Sequence, residues 1–292
     1  MRVLVTGGNG FVGRYLVEAL RVRGDDVFSA GHRPGSDHRH LDLTDADSIR
    51  GLMEDARPQL VFHLAAQTFV PNAIASPLET FDVNVMGTAR LLDAMRSASP
   101  GARMVFASSG QAERPSNPYG ASKAAAEMVV RGFAKPYDMD VVTYRGFNQI
   151  GPGQDPLFVV ASFARQLAEI ADGSSPVMLV GNLEAKRDFL DVRDAVQGIM
   201  MLGERGKAGE RYDLCRGEAV AIKEVLRRLM MIANVPVEIR EDPQRMRPSD
   251  TPVVVGDPTK LREQTGWTPQ YSLDQTLRDV YDDARRRVAA TR

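Results

Sequence analysis

Residues 1–22, MRVLVTGGNGFVGRYLVEALRV, decide the fold. Arg2 to Thr6 is a short β-branched run that stops at glycines, and Phe11, Val12, Tyr15, Leu16, Ala19 and Leu20 then recur at helical spacing. The reading is strand, tight turn, helix. Gly7, Gly10 and Gly13 fall in the turn and at the head of the helix, where backbone without side chains lets an anion approach the N–H donors of the helix N-terminus.

The alternation continues outward from that unit. Strands are expected near Asp26 to Ala30, Leu60 to Leu64, Arg103 to Ala107 and Asp140 to Tyr144. Helices are expected from Asp45 to Asp55, as a long segment after Pro77, and from about Pro118. Strands alternating with helices of this length, joined by right-handed crossovers, give an α/β architecture with a doubly wound parallel Rossmann sheet. After Arg145 the texture changes: Gly151-Pro152-Gly153 is a turn cluster, and helices at Leu157 to Ile170 and Ile222 to Ala233 alternate with short strands and irregular basic segments. Residues 1–146 therefore read as the nucleotide-binding domain, which also receives some later segments, and 147–292 as mainly a smaller C-terminal substrate lobe. No internal repeat is visible.

Composition narrows the function. With 43% hydrophobic and 26% charged residues over 292 positions, the chain is ordinary globular sequence. Lys+Arg total 37 against 38 Asp+Glu, so no global field recruits nucleic acid or an anionic membrane. Neither a secretory apolar segment at the start nor a run long enough for a membrane span is present. The single cysteine, Cys215, excludes an intramolecular disulfide and a Cys-based zinc site, fits a cytoplasmic location, and reads as a small buried side chain. His32, His38 and His40 sit in a Gly/Pro-containing loop without helical spacing, and Arg285-Arg286-Arg287 reads as a solvated helix end. No metal is expected.

Several positions carry chemistry. The tip of the second strand separates NAD from NADP, because an acid there binds a free ribose hydroxyl whereas an arginine accommodates a phosphate. Here the tip reads Ala30-Gly31-His32-Arg33, with no acid, which points to NADP(H) rather than NAD(H). Asp42 could reach an adenine amine, although Thr44 as the N-cap of the next helix accounts for the same stretch. Tyr119 and Lys123 are four apart at the head of a helix, which sets both on one face. A nearby ammonium stabilises phenolate and so makes a tyrosine useful in proton transfer. Ser108-Ser109 ends the preceding strand, where such folds collect their ligands. Serine to hold an oxygen, tyrosine to move a proton and a nicotinamide to carry hydride make a dehydrogenase or reductase.

At these residues the sequence resembles the extended short-chain dehydrogenases/reductases that act on nucleotide sugars, and within them the GDP-4-keto-6-deoxy-D-mannose reductases and their dehydratase relatives. The matching motifs are TGGNGFVG (Thr6 to Gly13), HLAAQ (His63 to Gln67), NVMGT (Asn84 to Thr88), SSG (Ser108 to Gly110) and YGASK (Tyr119 to Lys123). FNQIGPGQ (Phe147 to Gln154), NLEAKRDFLDVRD (Asn182 to Asp194), RMRPSD (Arg245 to Asp250) and VGDPTKLREQTGW (Val255 to Trp267) are more specific to GDP-sugar enzymes. The resemblance implies NADP(H) held by Gly7, Asn9, Gly10, Phe11, Val12, Gly13, Arg33, Asp42, Leu43, Leu64, Ala65, Ala66, Tyr119 and Lys123. It implies Ser109, Tyr119 and Lys123 as the catalytic set, with Gln111 and Asn148 on the substrate, Arg187 and Arg247 on its diphosphate and Asp250 near the ribose. Two arginines from separate segments can clamp a diphosphate bidentately. A homodimer is implied through the helices after Pro77 and Pro118.

Two departures from the family pattern bear on the reaction. Only nine residues separate Ser109 from Tyr119, a shorter loop than relatives usually carry. Where the dehydratases place a glutamate two residues after the catalytic Ser/Thr, this chain has Gln111, and Glu113 lies two positions further on. An amide is no base, so reduction of a 4-keto sugar is favoured over 4,6-dehydration. A dehydratase or epimerase on the same scaffold is the alternative enzyme, and a non-catalytic NADP-binding sensor the alternative outside enzymes.

Overall fold

The computed structural model describes every residue except Arg33, Pro34, Ser36, Arg247, Pro248, Ser249, Asp250 and Arg292. Along the chain run β1 (Arg2–Thr6), α1 (Phe11–Val22), β2 (Asp26–Gly31), β3 (Arg39–His40), α2 (Ala46–Ala56), β4 (Leu60–His63), α3 (Val70–Ala75) and α4 (Pro77–Phe81). A π-helical turn (Asp82–Met86) leads into α5 (Gly87–Ala98), followed by β5 (Arg103–Ser109), a 3₁₀ turn (Gly110–Ala112), α6 (Pro118–Ala134) and β6 (Val141–Gly146). The remainder comprises β7 (Asn148–Ile150), α7 (Val159–Ala171), β8 (Val177–Val180), β9 (Lys186–Asp191), α8 (Val192–Arg205), β10 (Arg211–Leu214), β11 (Ala219–Ala221) and α9 (Ile222–Ala233). Last come β12 (Glu238–Glu241), a 3₁₀ turn (Pro243–Arg245), β13 (Val253–Val254), α10 (Thr259–Thr265) and α11 (Leu273–Ala289).

The chain divides into two compact units, one of Met1–Gly146, Val196–Leu214 and Pro258–Thr268, the other of Phe147–Ala195, Cys215–Asp257 and Pro269–Arg292. In the first unit seven strands form one sheet in the order β3-β2-β1-β4-β5-β6-β10, all paired in parallel. Both faces of a doubly wound sheet are covered by helices, so its strands read as continuous apolar runs. Val3, Leu4 and Val5 of β1 and Val61 and Phe62 of β4 are fully buried. Each helix closes on the sheet through one stripe: α1 buries Gly13, Leu16, Val17 and Leu20, and α2 buries Ile49, Leu52, Met53 and Ala56, the i, i+3, i+4, i+7 pattern. Each buried Leu, Ile, Val or Met contributes about 1.5–3 kcal/mol.

In the second unit β9 is the central strand, pairing with β11 antiparallel, β13 in parallel and β7 in parallel, while β8 and β12 form a separate parallel pair. Helices α7, α9 and α11 supply its core, with Phe163, Leu167, Val225, Leu226, Leu229, Leu277 and Val280 buried together. Cys215 is buried, as its small apolar character suggested.

Two local expectations are corrected. The helix read after Pro77 is interrupted by the π-helical turn at Asp82–Met86, with Asn84 buried inside it. The N-cap of α2 is Asp45, whose side chain accepts from the Asp47 N–H, whereas Thr44 spends its N–H and hydroxyl on Asp42 Oδ1 at 2.8 and 2.7 Å.

Candidate active site

The glycine turn is shaped by contacts that leave no room for a Cβ. Gly7 has φ +73°, and a Cβ there would stand 2.8 Å from the Ala65 nitrogen at the end of β4. At Gly13 it would stand 2.1 Å from the Gly7 carbonyl oxygen. The turn is thus pressed against Leu64 and Ala65, which like the following Ala66 are half-buried. Gly10 caps α1 without a side chain, and the first turn of that helix holds no carboxylate, so its positive end is left for an external anion. Phe11 and Val12 are half-buried in the same turn. Asn9 lies against Gly31 at the tip of β2, where a Cβ would meet Asn9 Oδ1 at 2.3 Å. Leu43 packs under Gly87, and Asp42 is held below the usual carboxylate range by the Thr44 N–H and hydroxyl. These residues lie at the carboxyl ends of β1, β2 and β4 and in the segments that follow, and they fit the pyrophosphate and adenosine of a dinucleotide. Arg33 lies outside the described residues.

Ser109 ends β5, and α6 begins at Pro118 with Asn117 as its N-cap. Asn117 acts twice: its Oδ1 accepts from the Gly120 N–H at 3.0 Å, and its Nδ2 donates to Gln111 Oε1 at 2.9 Å. The cap therefore fixes the head of the helix and the Gln111 amide together. Tyr119 is buried, and its hydroxyl hydrogen-bonds to Ser109, whose Oγ also accepts from the Gln111 N–H at 3.2 Å. Burial pushes the Tyr119 phenol above its ordinary 10.0, only partly offset by Ser109. Burial thus favours the neutral phenol, the form a proton donor needs. Lys123 Nζ donates to the Ala107 carbonyl at 2.8 Å and lies 5.3 Å from the centre of the Phe106 ring. Burial brings its ammonium down from 10.5 to about 8, against the pull of Glu127.

Three groups in this unit, two of them inside the quoted motifs, received no role from the sequence. Glu127, one turn beyond Lys123 on α6, accepts from the Ser108 hydroxyl at 2.6 Å and from Arg145 Nε and Nη2 at 2.9 and 3.1 Å. Spacing was its signal, since positions 119, 123 and 127 share one helix face. Asn84, in the π-helical turn, accepts from the Gln67 N–H and donates to the Gln67 carbonyl and to Ser122 Oγ, tying that turn to α6. His63, at the end of β4, joins Thr6 on β1 and Thr88 on α5 at 2.7 and 3.1 Å. Because the Thr88 hydroxyl donates to the Asn84 carbonyl, His63 Nε2 is the donor and Nδ1 accepts from Thr6. The ring is neutral, and burial depresses it from 6.5 to about 3.

Among the expected substrate residues, Asn148 and Arg187 belong to the second unit, on β7 and β9. Arg187 Nη1 donates to the carbonyls of Lys186 and Thr251, both at 2.8 Å. Beside it, Asp188 is fully buried and accepts from the N–H groups of Arg216 and Gly217 at 2.8 Å, anchoring that loop to β9. Arg247 and Asp250 lie outside the described residues. A cavity of about 310 Å³ in this unit is lined by Gly153, Gln154, Arg165, Asp283 and Arg287, among others, and by none of the expected site residues. Among the described residues no helix is long and apolar enough to cross a membrane, and no cluster of His, Cys, Asp and Glu could hold a metal ion.

A family model described as GDP-mannose 4,6 dehydratase matches residues 4–280. The chain belongs to that family. It is 36% identical to the GDP-6-deoxy-D-mannose reductase of Pseudomonas aeruginosa over 98% of both chains. A solved structure of RMD from Pseudomonas aeruginosa complexed with NADPH superimposes with a TM-score of 0.87 at 33% identity, covering 98% of this chain and 100% of that one. The UDP-glucose 4-epimerase of Thermotoga maritima, solved with UDP-glucose, reaches a TM-score of 0.90 at 27% identity, covering 99% and 100% of the two chains. Its seven-stranded parallel sheet matches the fold of these structures, and it carries Gln111 two residues after Ser109.

Proposed function

We propose that this chain is an NADPH-dependent reductase of the 4-keto group of a GDP-linked 4-keto-6-deoxyhexose, GDP-4-keto-6-deoxy-D-mannose first. The observation that carries the reading is a buried Tyr119 hydroxyl bonded to Ser109, with Gln111, an amide, two residues beyond Ser109 where on this reading dehydration would need a carboxylate. The similarity to the GDP-6-deoxy-D-mannose reductase and to the NADPH-bound structure supports both substrate class and cofactor.

Bound NADPH supplies a hydride to carbon 4. The chain's part is to hold the pyrophosphate on the uncapped N-terminus of α1 and the glycine turn, with Arg33 on the 2′-phosphate and Asp42 near the adenine. Ser109 donates a hydrogen bond to the ketone oxygen and Tyr119 delivers its proton there, so the ketone becomes an alcohol and the phenolate is reprotonated from solvent. Lys123 stabilises the transient phenolate. Asn148 and Gln111 hold the sugar, Arg187 and Arg247 the diphosphate, and Asp250 the nucleotide ribose.

Homodimerisation through the helices after Pro77 and Pro118 is part of the reading, supported by Leu78, Met86 and Met128, which are 85%, 50% and 72% exposed there. The single, buried Cys215 is consistent with work in the cytoplasm. The test is incubation with NADPH and a panel of GDP- and dTDP-linked 4-keto-6-deoxy sugars, following NADPH absorbance and product mass. Oxidation of NADPH with a gain of two hydrogens by the GDP-linked sugar supports the reading, and no turnover with any member of the panel removes it.

A further inference from the structure

The catalytic face of α6 carries a third charged group. Tyr119, Lys123 and Glu127 follow one another at single-turn spacing, and all three are buried. A carboxylate is seldom buried unless paired and hydrogen-bonded, and Glu127 has both kinds of partner. Arg145, on β6, engages both of its oxygens and is itself buried. Ser108, the neighbour of Ser109 on β5, donates to Oε1 at 2.6 Å. Arg131 of α6 and Arg211 of β10 stand further off, at 3.7 and 3.6 Å. One side chain thus joins the catalytic helix, the strand end that presents Ser109 and the next strand of the sheet.

The surroundings of Lys123 show what this carboxylate does. Facing it are Glu127 from its own helix, neutral His63 from β4, and the Ala107 carbonyl and Phe106 ring from β5, while Tyr119 lies one turn before it on the same helix. On β6, Arg145 holds Glu127 and is itself acted on by Asp213 of β10 and by Glu113, while burial pushes the Tyr144 phenol, next to Tyr119, upward. Among these neighbours Glu127 is the negative charge that acts on the Lys123 ammonium, which burial otherwise discourages. Neutral lysine has no hold on a phenolate.

We propose that Glu127 is a positioning residue for this site: its buried carboxylate keeps Lys123 a cation and, through Ser108, fixes the strand end that presents Ser109. The proposal rests on the reductase reading for its kinetic consequence, but its electrostatic part stands on the fold alone.

The test compares the wild type with Glu127→Gln and Glu127→Asp. The Lys123 ammonium is titrated by ¹³C NMR of labelled lysine, with Lys123→Met to assign its signal, and kcat for keto-sugar reduction is followed across pH. Losing the charge in Glu127→Gln should move the Lys123 titration to lower pH by about one unit. The alkaline limb of kcat should move the same way, while KM for NADPH changes less than about threefold. Glu127→Asp keeps the charge and should return both towards wild type. A Lys123 titration within about 0.2 of wild type in Glu127→Gln, with only thermal stability reduced, would mean a purely structural ion pair and overturn the proposal. If Glu127→Gln does not fold, Glu127→Gln/Arg145→Met, which replaces the buried pair with neutral groups, is compared with Arg145→Met, and equal Lys123 titrations in those two are equally fatal. If the wild type itself reduces no keto-sugar, the reductase reading fails, while the NMR titration still decides the role of Glu127.

Discussion

In the proposed reduction Tyr119 has one job that nothing near it can take over. Ser109 can bond a ketone oxygen, but its hydroxyl is far too weak an acid to protonate it, and Lys123 is tied by one of its N–H groups to the Ala107 carbonyl. Tyr119→Phe keeps the ring and its burial, so fold and NADPH affinity should survive while turnover falls by about two to four orders of magnitude, the usual worth of a positioned general acid. Steady-state rates beside a dissociation constant for NADPH check this, and a loss of only a few-fold would remove Tyr119 from the chemistry. Arg33 carries the second expectation at this scale. With Asn9 against Gly31 and no acid at the tip of β2, the wild type should prefer NADPH to NADH, and Arg33→Asp should invert the preference by repelling phosphate and accepting from a hydroxyl. Equal dissociation constants for the two cofactors in the wild type would contradict it. Ser109, Tyr119 and Lys123 were legible because motif and spacing mark them within one stretch. The Glu127–Arg145 pair was not, because its partners meet across a helix and a strand, and linear sequence does not show which buried charges find each other.

Among the elements, β1, β4 and α5 are pinned by His63, and the pin is sensitive to acid. The ring is neutral in the fold, depressed from 6.5 to about 3, so between those values the unfolded chain binds a proton that the native one does not. Above about pH 6.5 both forms are neutral and His63 contributes no slope; below it, stability falls as the pH drops, by up to about 1.4 kcal/mol per pH unit from this site. Urea unfolding between about pH 4.5 and 7.5 should show a steeper acid loss in the wild type than in His63→Gln, the two slopes converging near neutrality. Parallel slopes would mean that His63 is not the neutral, buried link described. The strands and main helices could be read from apolar runs and from stripes such as Leu16, Val17 and Leu20, because burial imposes those periods on sequence. The break after Phe81 could not: the residues of the π-helical turn have ordinary helical character, and the extra residue is accommodated through Asn84's bonds to Gln67 and Ser122, which are tertiary. Thr44 was misplaced as a cap for a related reason, since Thr, Asp and Ser all compete for that position and only the fold shows that Asp42 claims Thr44 first.

At the scale of the whole molecule the question is which reaction the chain supports, and the family name alone does not answer it. Reduction at carbon 4 asks the chain for one proton, which Tyr119 can give. Dehydration asks for more: after oxidation at carbon 4, a base must take the proton from carbon 5 and hydroxide must leave carbon 6, and both steps call for a carboxylate or comparable group beside the sugar. On the proposed reading, the position of that base is taken by Gln111, and its amide is committed, with Oε1 accepting from Asn117, the residue that also caps α6. Glutamine supplies hydrogen bonds and no base. The loop from Ser109 to Tyr119 is too short to bring a substitute from far away, and Gly120, where a Cβ would meet the Gln111 carbonyl at 2.8 Å, leaves it little freedom to shift. Wild-type protein should therefore reduce GDP-4-keto-6-deoxymannose with NADPH and form no keto-sugar from GDP-mannose with NADP⁺, as read by mass spectrometry of the nucleotide sugars. Gln111→Glu should add at most a trace of dehydration, because an ångström-scale error in placing a catalytic group can cost about a hundredfold. Clear dehydration by the wild type would show that another carboxylate, with Glu113 first in line, reaches the sugar, and it would move this chain from the reductases to the dehydratases of its family.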